Sequence, residues 1–111
     1  MQKSSLTALG REQLEQARAS ANGRSASTVF GGHEHMLRQT LIAIVGGSGL
    51  QEHASPGEAT IQVLQGQVTL QAGEDSWHGS PGDFLIIPGT RHSLAASADS
   101  VVLLTVAKSR H

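Results

Sequence analysis

The chain has 111 residues, no cysteine, and a formal net charge of −1 with histidine counted as neutral. This length is typical of one domain, and the charge leaves no basic surplus for binding nucleic acid or an anionic membrane. Without cysteine, disulfides and thiolate metal sites are excluded. No apolar run reaches the length of a membrane span, and the start lacks the apolar region of a secretory signal, so we expect a cytoplasmic protein.

The first predicted element is a helix over residues 6 to about 21. Ser5 or Thr7 is a suitable N-cap, and Asn22 with Gly23 suits the end. The apolar stripe of this helix is thin, which predicts packing on the outside of the domain or on a partner subunit. The stripe consists of Leu6, Leu9, Leu14 and Ala17. We therefore divide the chain into an N-terminal helix and linker, residues 1–23, and a β domain, residues 24–111.

Strand periodicity begins at Arg24 and continues to the end of the chain. Residues 40–45 and 101–107 are apolar at nearly every position, as expected of strands covered on both faces. Residues 84–87 are interpreted as a short buried strand that ends at Pro88. The other predicted strands are residues 27–30, 50–53, 60–64, 67–72, 76–78 and 93–96. About eight to ten short strands with close turns are the pattern of a β-sandwich or barrel.

The centre of the chain contains, in this order, Gly47, His53, Ser55, Ala59 and Gly66. This order resembles the first motif of the cupin superfamily, in which a glycine and five further residues precede His-x-His, and a glutamate and a second glycine follow. Ser55 stands in place of the second histidine and Ala59 in place of the glutamate.

The second cupin motif is a glycine, then Pro-x-Gly, a histidine and an asparagine. It corresponds here to Gly82, Pro88 with Gly89, His92 and Ala96, and the step from proline to glycine is one residue short. The similarity is greatest to small single-domain bacterial cupins. It implies an all-β fold, the double-stranded β-helix or jelly-roll barrel, with one N-terminal α-helix.

In metal-binding cupins the motif histidines and the glutamate hold a divalent ion. The resemblance therefore implies that His53 and His92 are candidate ligands for Ni, Zn, Fe or Mn. Ser55 and Ala59 stand at the other two ligand positions, and neither side chain is an effective ligand for these metals. Since two imidazoles alone form a weak site, we expect metal binding to be weak or absent.

Glu58 and His35 are weaker candidates to complete a metal site. Glu58 is one position from the expected glutamate, and on a regular strand such a slip points the side chain to the opposite face. His33 and His35 are two residues apart, so on a strand they share a face. For this pair we prefer an exposed edge strand or a subunit contact to a metal site.

Three functions agree with this sequence. The first is a cupin with a degenerate metal site that binds a small molecule in the barrel. The polar groups that contact this ligand would be His53, Ser55, Gln62 and His92. The alternative is a metal-dependent oxygenase, isomerase or decarboxylase that uses His53, His92 and a substitute ligand. In the third, the barrel is filled by Leu, Ile and Val and serves a structural role. The fold does not decide whether the protein is an enzyme.

We also expect a homodimer. An open jelly roll leaves sheet edges and apolar outer faces to be covered, and residues 40–45 are apolar on both sides. The expected partners are thus a small-molecule ligand and a second copy of the chain, without nucleic acid or membrane.

Overall fold

The computed structural model describes residues 3–55 and 57–108. This part of the chain forms one helix and nine strands, and it includes no helix long and apolar enough to cross a membrane. The elements are α1 (Leu6–Ala19), β1 (Arg24–Phe30), β2 (Leu37–Ile44), β3 (Gly49–His53), β4 (Glu58–Gln65), β5 (Val68–Ala72), β6 (Asp75–Gly79), β7 (Phe84–Ile86), β8 (His92–Ala96) and β9 (Ser100–Ala107).

The strands form two antiparallel sheets. The larger sheet has the order β1-β2-β9-β4-β7 and the smaller sheet has the order β3-β8-β5-β6. Because successive strands often change sheet, the chain winds round both layers, as in a jelly roll. This arrangement confirms the predicted all-β jelly roll with an N-terminal helix.

The main core lies between the two sheets and is aliphatic. Alternation along β4 directs Ala59, Ile61 and Val63 inward, and alternation along β5 does the same for Val68 and Leu70. Residues of β2, β8 and β9, together with Ile87 after β7, complete this core: Ile42, Ile44, Leu94, Ala96, Val102 and Val106.

Helix α1 covers part of the outer face of the larger sheet. Its buried side chains Leu14 and Ala17 form a second core with Leu41, Ala43 and Val101. The Ser5 hydroxyl accepts a hydrogen bond from the Ala8 N–H and caps the helix, as expected of serine at this position. The prediction that the helix packs on the outside of the domain is therefore confirmed. The same contact explains why β2 is apolar on both faces.

Strand β7 differs from its prediction as a buried strand. Leu85 packs on the inner core, whereas Phe84 is 61% exposed and Ile86 76% exposed. The reason is that α1 packs on β1, β2 and β9, whereas β7 lies at the opposite edge of the larger sheet, so the outer face of β7 has no covering layer among the described residues.

Candidate functional site

Two histidines from neighbouring strands lie side by side at one end of the barrel. His53 on β3 is paired directly with His92 on β8, and their ring centroids are 4.5 Å apart in an edge-on arrangement. A register shift between Leu50 and His53 inserts an extra residue into β3. Because such a bulge changes the phase of alternation, both Leu50 and His53 face the barrel interior.

Backbone carbonyl groups hold both imidazoles in a defined orientation. Nδ1 of His53 lies 2.8 Å from the Gln51 oxygen, and Nδ1 of His92 lies 2.9 Å from the Thr90 oxygen. A carbonyl oxygen only accepts hydrogen bonds, so each neutral ring carries its proton on Nδ1. Nε2 of each ring therefore keeps a lone pair, with no partner among the described residues.

The two rings line a narrow cavity inside the barrel. Its volume is about 30 Å³, and the remaining walls are aliphatic: Ile42, Leu50, Ile61, Leu70, Ile87, Leu94 and Leu104. His92 is only 3% exposed, so it is part of the buried wall, whereas His53 reaches solvent. A space of this volume holds a water molecule or the end of a ligand, but not a whole benzene-sized molecule.

A wider open groove lies at the same end of the barrel. Its volume is about 680 Å³, and Ser55, Glu58, Gly89 and Lys108 are among the residues that line it. Ile87 lines both the groove and the inner cavity, so the two spaces are neighbours. Ser55 donates its hydroxyl proton to the Gly57 oxygen and faces this groove rather than the inner cavity. Glu58 is exposed at the start of β4.

The structure corrects two of the sequence-based placements. Gln62 is exposed on the outer face of β4, because Ile61 and Val63 occupy the inward positions; it does not line the cavity. His35 lies in the connection between β1 and β2, outside any strand, with its ring 4.7 Å from that of Phe30. Neither residue joins the histidine pair.

Sequence reasoning missed Arg38. It pairs with Val106 on β9, which pairs in turn with Ala59 on β4, and both partners belong to the inner core. Paired residues of an antiparallel sheet point to the same face, so Arg38 occupies an inward position at the end of the barrel. The sequence contained a signal for this position: Ile42 points inward, and side chains of a strand alternate, so Arg38, four residues earlier, also points inward.

A divalent metal, which the fold family implies, fits this donor set poorly. Within residues 3–55 and 57–108, no three His, Asp or Glu side chains come together as a possible metal site. His53 and His92 are correctly oriented donors, but Ala59 occupies the inward position where a carboxylate would be needed. Two neutral imidazoles leave most coordination positions to water, and such a site is weak.

Comparison with solved structures gives the same fold. A conserved protein of unknown function from Streptococcus pyogenes has a TM-score of 0.72 at 22% identity, and the match covers 83% of this chain and 80% of that one. A cupin superfamily protein from Desulfitobacterium hafniense has a TM-score of 0.71 at 16% identity, covering 78% of each chain.

A larger protein also contains this fold. A variant of salicylate 1,2-dioxygenase from Pseudoaminobacter salicylatoxidans, in complex with gentisate, has a TM-score of 0.77 at 16% identity. The match covers 90% of this chain but only 32% of the dioxygenase. At these identities the likeness concerns the fold alone.

Sequence comparison identifies the family. No curated protein matches the chain. The family model described as the cupin domain matches residues 40–107, which is more than half of the chain and includes both histidines. With this match and the two-sheet barrel, the chain belongs to the cupin family.

Proposed function

We propose that this cupin binds a small organic molecule at the end of the barrel where His53 and His92 lie. The observation that carries the proposal is the pair of oriented imidazoles in an otherwise aliphatic cavity. Few polar groups in apolar surroundings are typical of small-molecule sites. Each Nε2 accepts a hydrogen bond from a ligand hydroxyl or amide.

The two neighbouring spaces define how such a ligand is held. The inner cavity of about 30 Å³ takes only its tip, while the groove of about 680 Å³ has the size of ordinary ligand sites. The body of the ligand therefore lies in the groove near Ser55, and Ile87 separates body from tip. Gln62 has no part in this proposal.

A fragment screen followed by NMR tests the proposal. We expect fragments that raise the melting temperature to shift the ring signals of His53 and His92, and His92→Ala to remove this effect. His78→Ala is the matched control, because His78 is exposed on β6 of the smaller sheet and bonds the side chain of Gln67. If stabilising fragments left both ring signals unchanged, the site would be elsewhere.

A metal-dependent enzyme is the second candidate function, and one observation favours it. Metal-ligating histidines usually donate their second ring N–H to a backbone carbonyl or carboxylate, as His53 and His92 do. The purified protein should nevertheless carry little Ni, Zn, Fe or Mn, and a chelator should remove it easily. One ion per chain that survives dialysis against the chelator, and is lost in His53→Ala, would favour the enzyme.

A homodimer remains part of the proposal, with a different surface from the one first expected. Helix α1 already covers the outer face of β2, whereas Phe84 and Ile86 stay exposed on β7. Their cross-strand neighbours on that face are Gln62 and Thr60, so this patch carries no charge. A two-fold interface places the same patch of both subunits together, and an uncharged patch meets its copy without charge repulsion.

Sedimentation at low micromolar concentration tests the dimer. The unchanged chain should sediment at twice its mass, and Ile86→Glu should give the monomer because it brings like charges together. Trp77→Glu is the control, since Trp77 is an exposed aromatic residue on an edge strand of the other sheet. A monomer before any substitution would refute the dimer.

The expected cytoplasmic location, and the division of the chain at residue 23, also stay predictions.

A further inference from the structure

Arg38 has an incomplete set of hydrogen bonds. Its Nη2 donates to the Gly32 oxygen at 3.3 Å, but Nε is buried and has no acceptor among the described residues. The aliphatic part of the side chain rests on Gly31, where an added Cβ would lie 3.4 Å from Cγ of Arg38. A buried donor without an acceptor is costly, which suggests that an acceptor from outside the chain completes the site.

No carboxylate of the described residues neutralises this guanidinium. The acidic residue nearest in sequence on the β1–β2 connection is Glu34, and its carboxylate lies 3.5 Å from Nε2 of His35. The two arginine ion pairs of the described residues are Arg18 with Asp99 and Arg91 with Glu52. The positive charge of Arg38 therefore has no carboxylate partner among the described residues.

This charge lies at the same end of the barrel as the imidazole pair. Strand β2 enters the larger sheet near Arg38, and β3 and β8 bring His53 and His92 to that end of the smaller sheet. Two residues further along β2, Thr40 pairs with Leu104, which lines the inner cavity. Since two residues of a strand span roughly 7 Å, the backbone of Arg38 lies one side-chain layer above the cavity, which Arg38 itself does not line.

We propose that Arg38 binds the carboxylate of a small organic acid whose other end lies against His53 and His92. A guanidinium matches the planar two-oxygen geometry of a carboxylate, and Nε is one of the donors such a pair uses. The aliphatic cavity walls favour an organic acid over an inorganic anion. This inference rests on the proposed small-molecule site and names the class of its ligand.

Titration with benzoate, benzamide and inorganic phosphate tests the inference. Benzoate, whose ring would lie at the mouth of the inner cavity rather than inside it, should shift the Arg38 Nε–H signal in NMR and bind more tightly than benzamide, its neutral counterpart. Arg38→Gln should weaken benzoate binding by about 10-fold to 100-fold, the usual range for a lost charge-assisted hydrogen bond. Arg38→Lys should recover only part of the affinity, because lysine lacks the planar fork.

Arg91→Gln is the matched control. Arg91 adjoins His92 but is exposed and paired with Glu52, so its loss should leave benzoate binding unchanged. Equal affinity for benzoate and benzamide, measured on the unchanged chain, would overturn the role of Arg38 even if Arg38→Gln failed to fold. Phosphate that displaces benzoate with equal affinity would also overturn the choice of a carboxylate.

The same titration separates this inference from the proposed function. If benzamide shifted the rings of His53 and His92 and Arg38→Gln bound benzoate normally, the small-molecule site would stand and the role of Arg38 would fall. If no probe moved the ring signals or the Arg38 signal, both would fall.

Discussion

At the scale of single residues, three glycines of the cupin motifs share one backbone conformation but have different surroundings. Gly47, Gly66 and Gly82 all have φ of +91°, which side-chain-bearing residues rarely adopt. A Cβ on Gly66 would lie 2.2 Å from the Ser100 hydroxyl and 2.5 Å from the Asp99 oxygen, whereas Gly82 has nothing within 4 Å. Backbone strain and steric overlap can therefore be measured separately.

We expect Gly66→Ala to lower the free energy of unfolding by about 3 kcal/mol or more, since strain and overlap add. Gly82→Ala should cost only the strain, about 1–2 kcal/mol. Urea unfolding of both variants measures the difference. Equal losses would show that Asp99 and Ser100 move to make room for the added methyl group.

The tautomers of three histidines give a second prediction at this scale. Nδ1 of His53 and His92 should carry the proton, because each lies against a carbonyl oxygen. His78 should have the opposite tautomer, since its Nε2 lies 2.6 Å from the side-chain oxygen of Gln67. Nitrogen NMR of the ring signals at alkaline pH distinguishes the two forms. Nε2 protonation of His92 would remove the acceptor that the proposed site requires.

The sequence predicted individual site residues only where the motif resemblance supplied the position. Alternation alone would place Glu52, not His53, on the same face as Leu50; the bulge in β3 reverses this. No feature of the local sequence predicts that bulge. The error for Gln62 is of another kind: it was predicted inside the barrel, although its neighbours Ile61 and Val63 already indicated that it points outward.

At the scale of elements, the stability of the fold depends on the contact of α1 with the larger sheet. Leu14 is buried against Leu41 and Val101, and Gly10 allows close approach, since a Cβ there would lie 3.2 Å from Val101. We expect Leu14→Ala to destabilise the protein by about 2–4 kcal/mol, the usual cost of truncating a buried leucine. Arg11→Ala, on the exposed side of the same helix, should change stability by less than about 0.5 kcal/mol.

Thermal and urea unfolding of both variants test this contact. A loss for Leu14→Ala as small as that for Arg11→Ala would mean that the helix is detached in solution. The helix was predictable because its stripe has a period of 3.6, and its observed end at Ala19 is close to the expected one. Exposure of Phe84 was not predictable, since an apolar run does not reveal whether its strand is central or at an edge.

At the scale of the whole molecule, Asp99 joins three separate segments. It accepts hydrogen bonds from the Gly46 N–H, in the turn after β2, and from Arg18 on α1. These contacts, first that with Gly46 and then that with Arg18, lower the pKa of the Asp99 carboxyl below its usual value. The native state therefore binds this proton less readily than the unfolded chain does.

The lowered pKa sets the sign of a pH dependence. The contribution of Asp99 is fully present above the pKa of the unfolded carboxyl, about 3.9, and is lost as the pH falls through the lower native value. Asp99→Asn should cost about 1 kcal/mol at neutral pH, a modest value because the pair is partly exposed. The difference from the unchanged chain should shrink below about pH 4.

Urea unfolding between pH 7 and pH 3 measures this difference. Arg18→Gln should retain part of the pH dependence, because the bond from Gly46 remains. Stability curves of the unchanged chain and Asp99→Asn that stay parallel down to pH 3 would contradict the assignment.

The topology as a whole could not be derived from periodicity. A turn at Gln65 and Gly66 looks like a hairpin, yet β4 and β5 belong to different sheets. Local sequence determines where a strand turns, but the burial of both sheet faces determines its partner. The jelly-roll expectation therefore came from the motif spacing, which reflects the complete fold.

The position of β9 has a consequence for how the protein is made. It is the last strand of the described chain in sequence, yet it lies in the middle of the larger sheet, between β2 and β4. During synthesis β2 and β4 therefore leave the ribosome before β9, the strand that separates them. Until β9 is made, the edges of β2 and β4 that will pair with it have no partner. Such late, non-local pairing slows folding and exposes the nascent chain to aggregation, so slower synthesis at low temperature should raise the yield of soluble protein.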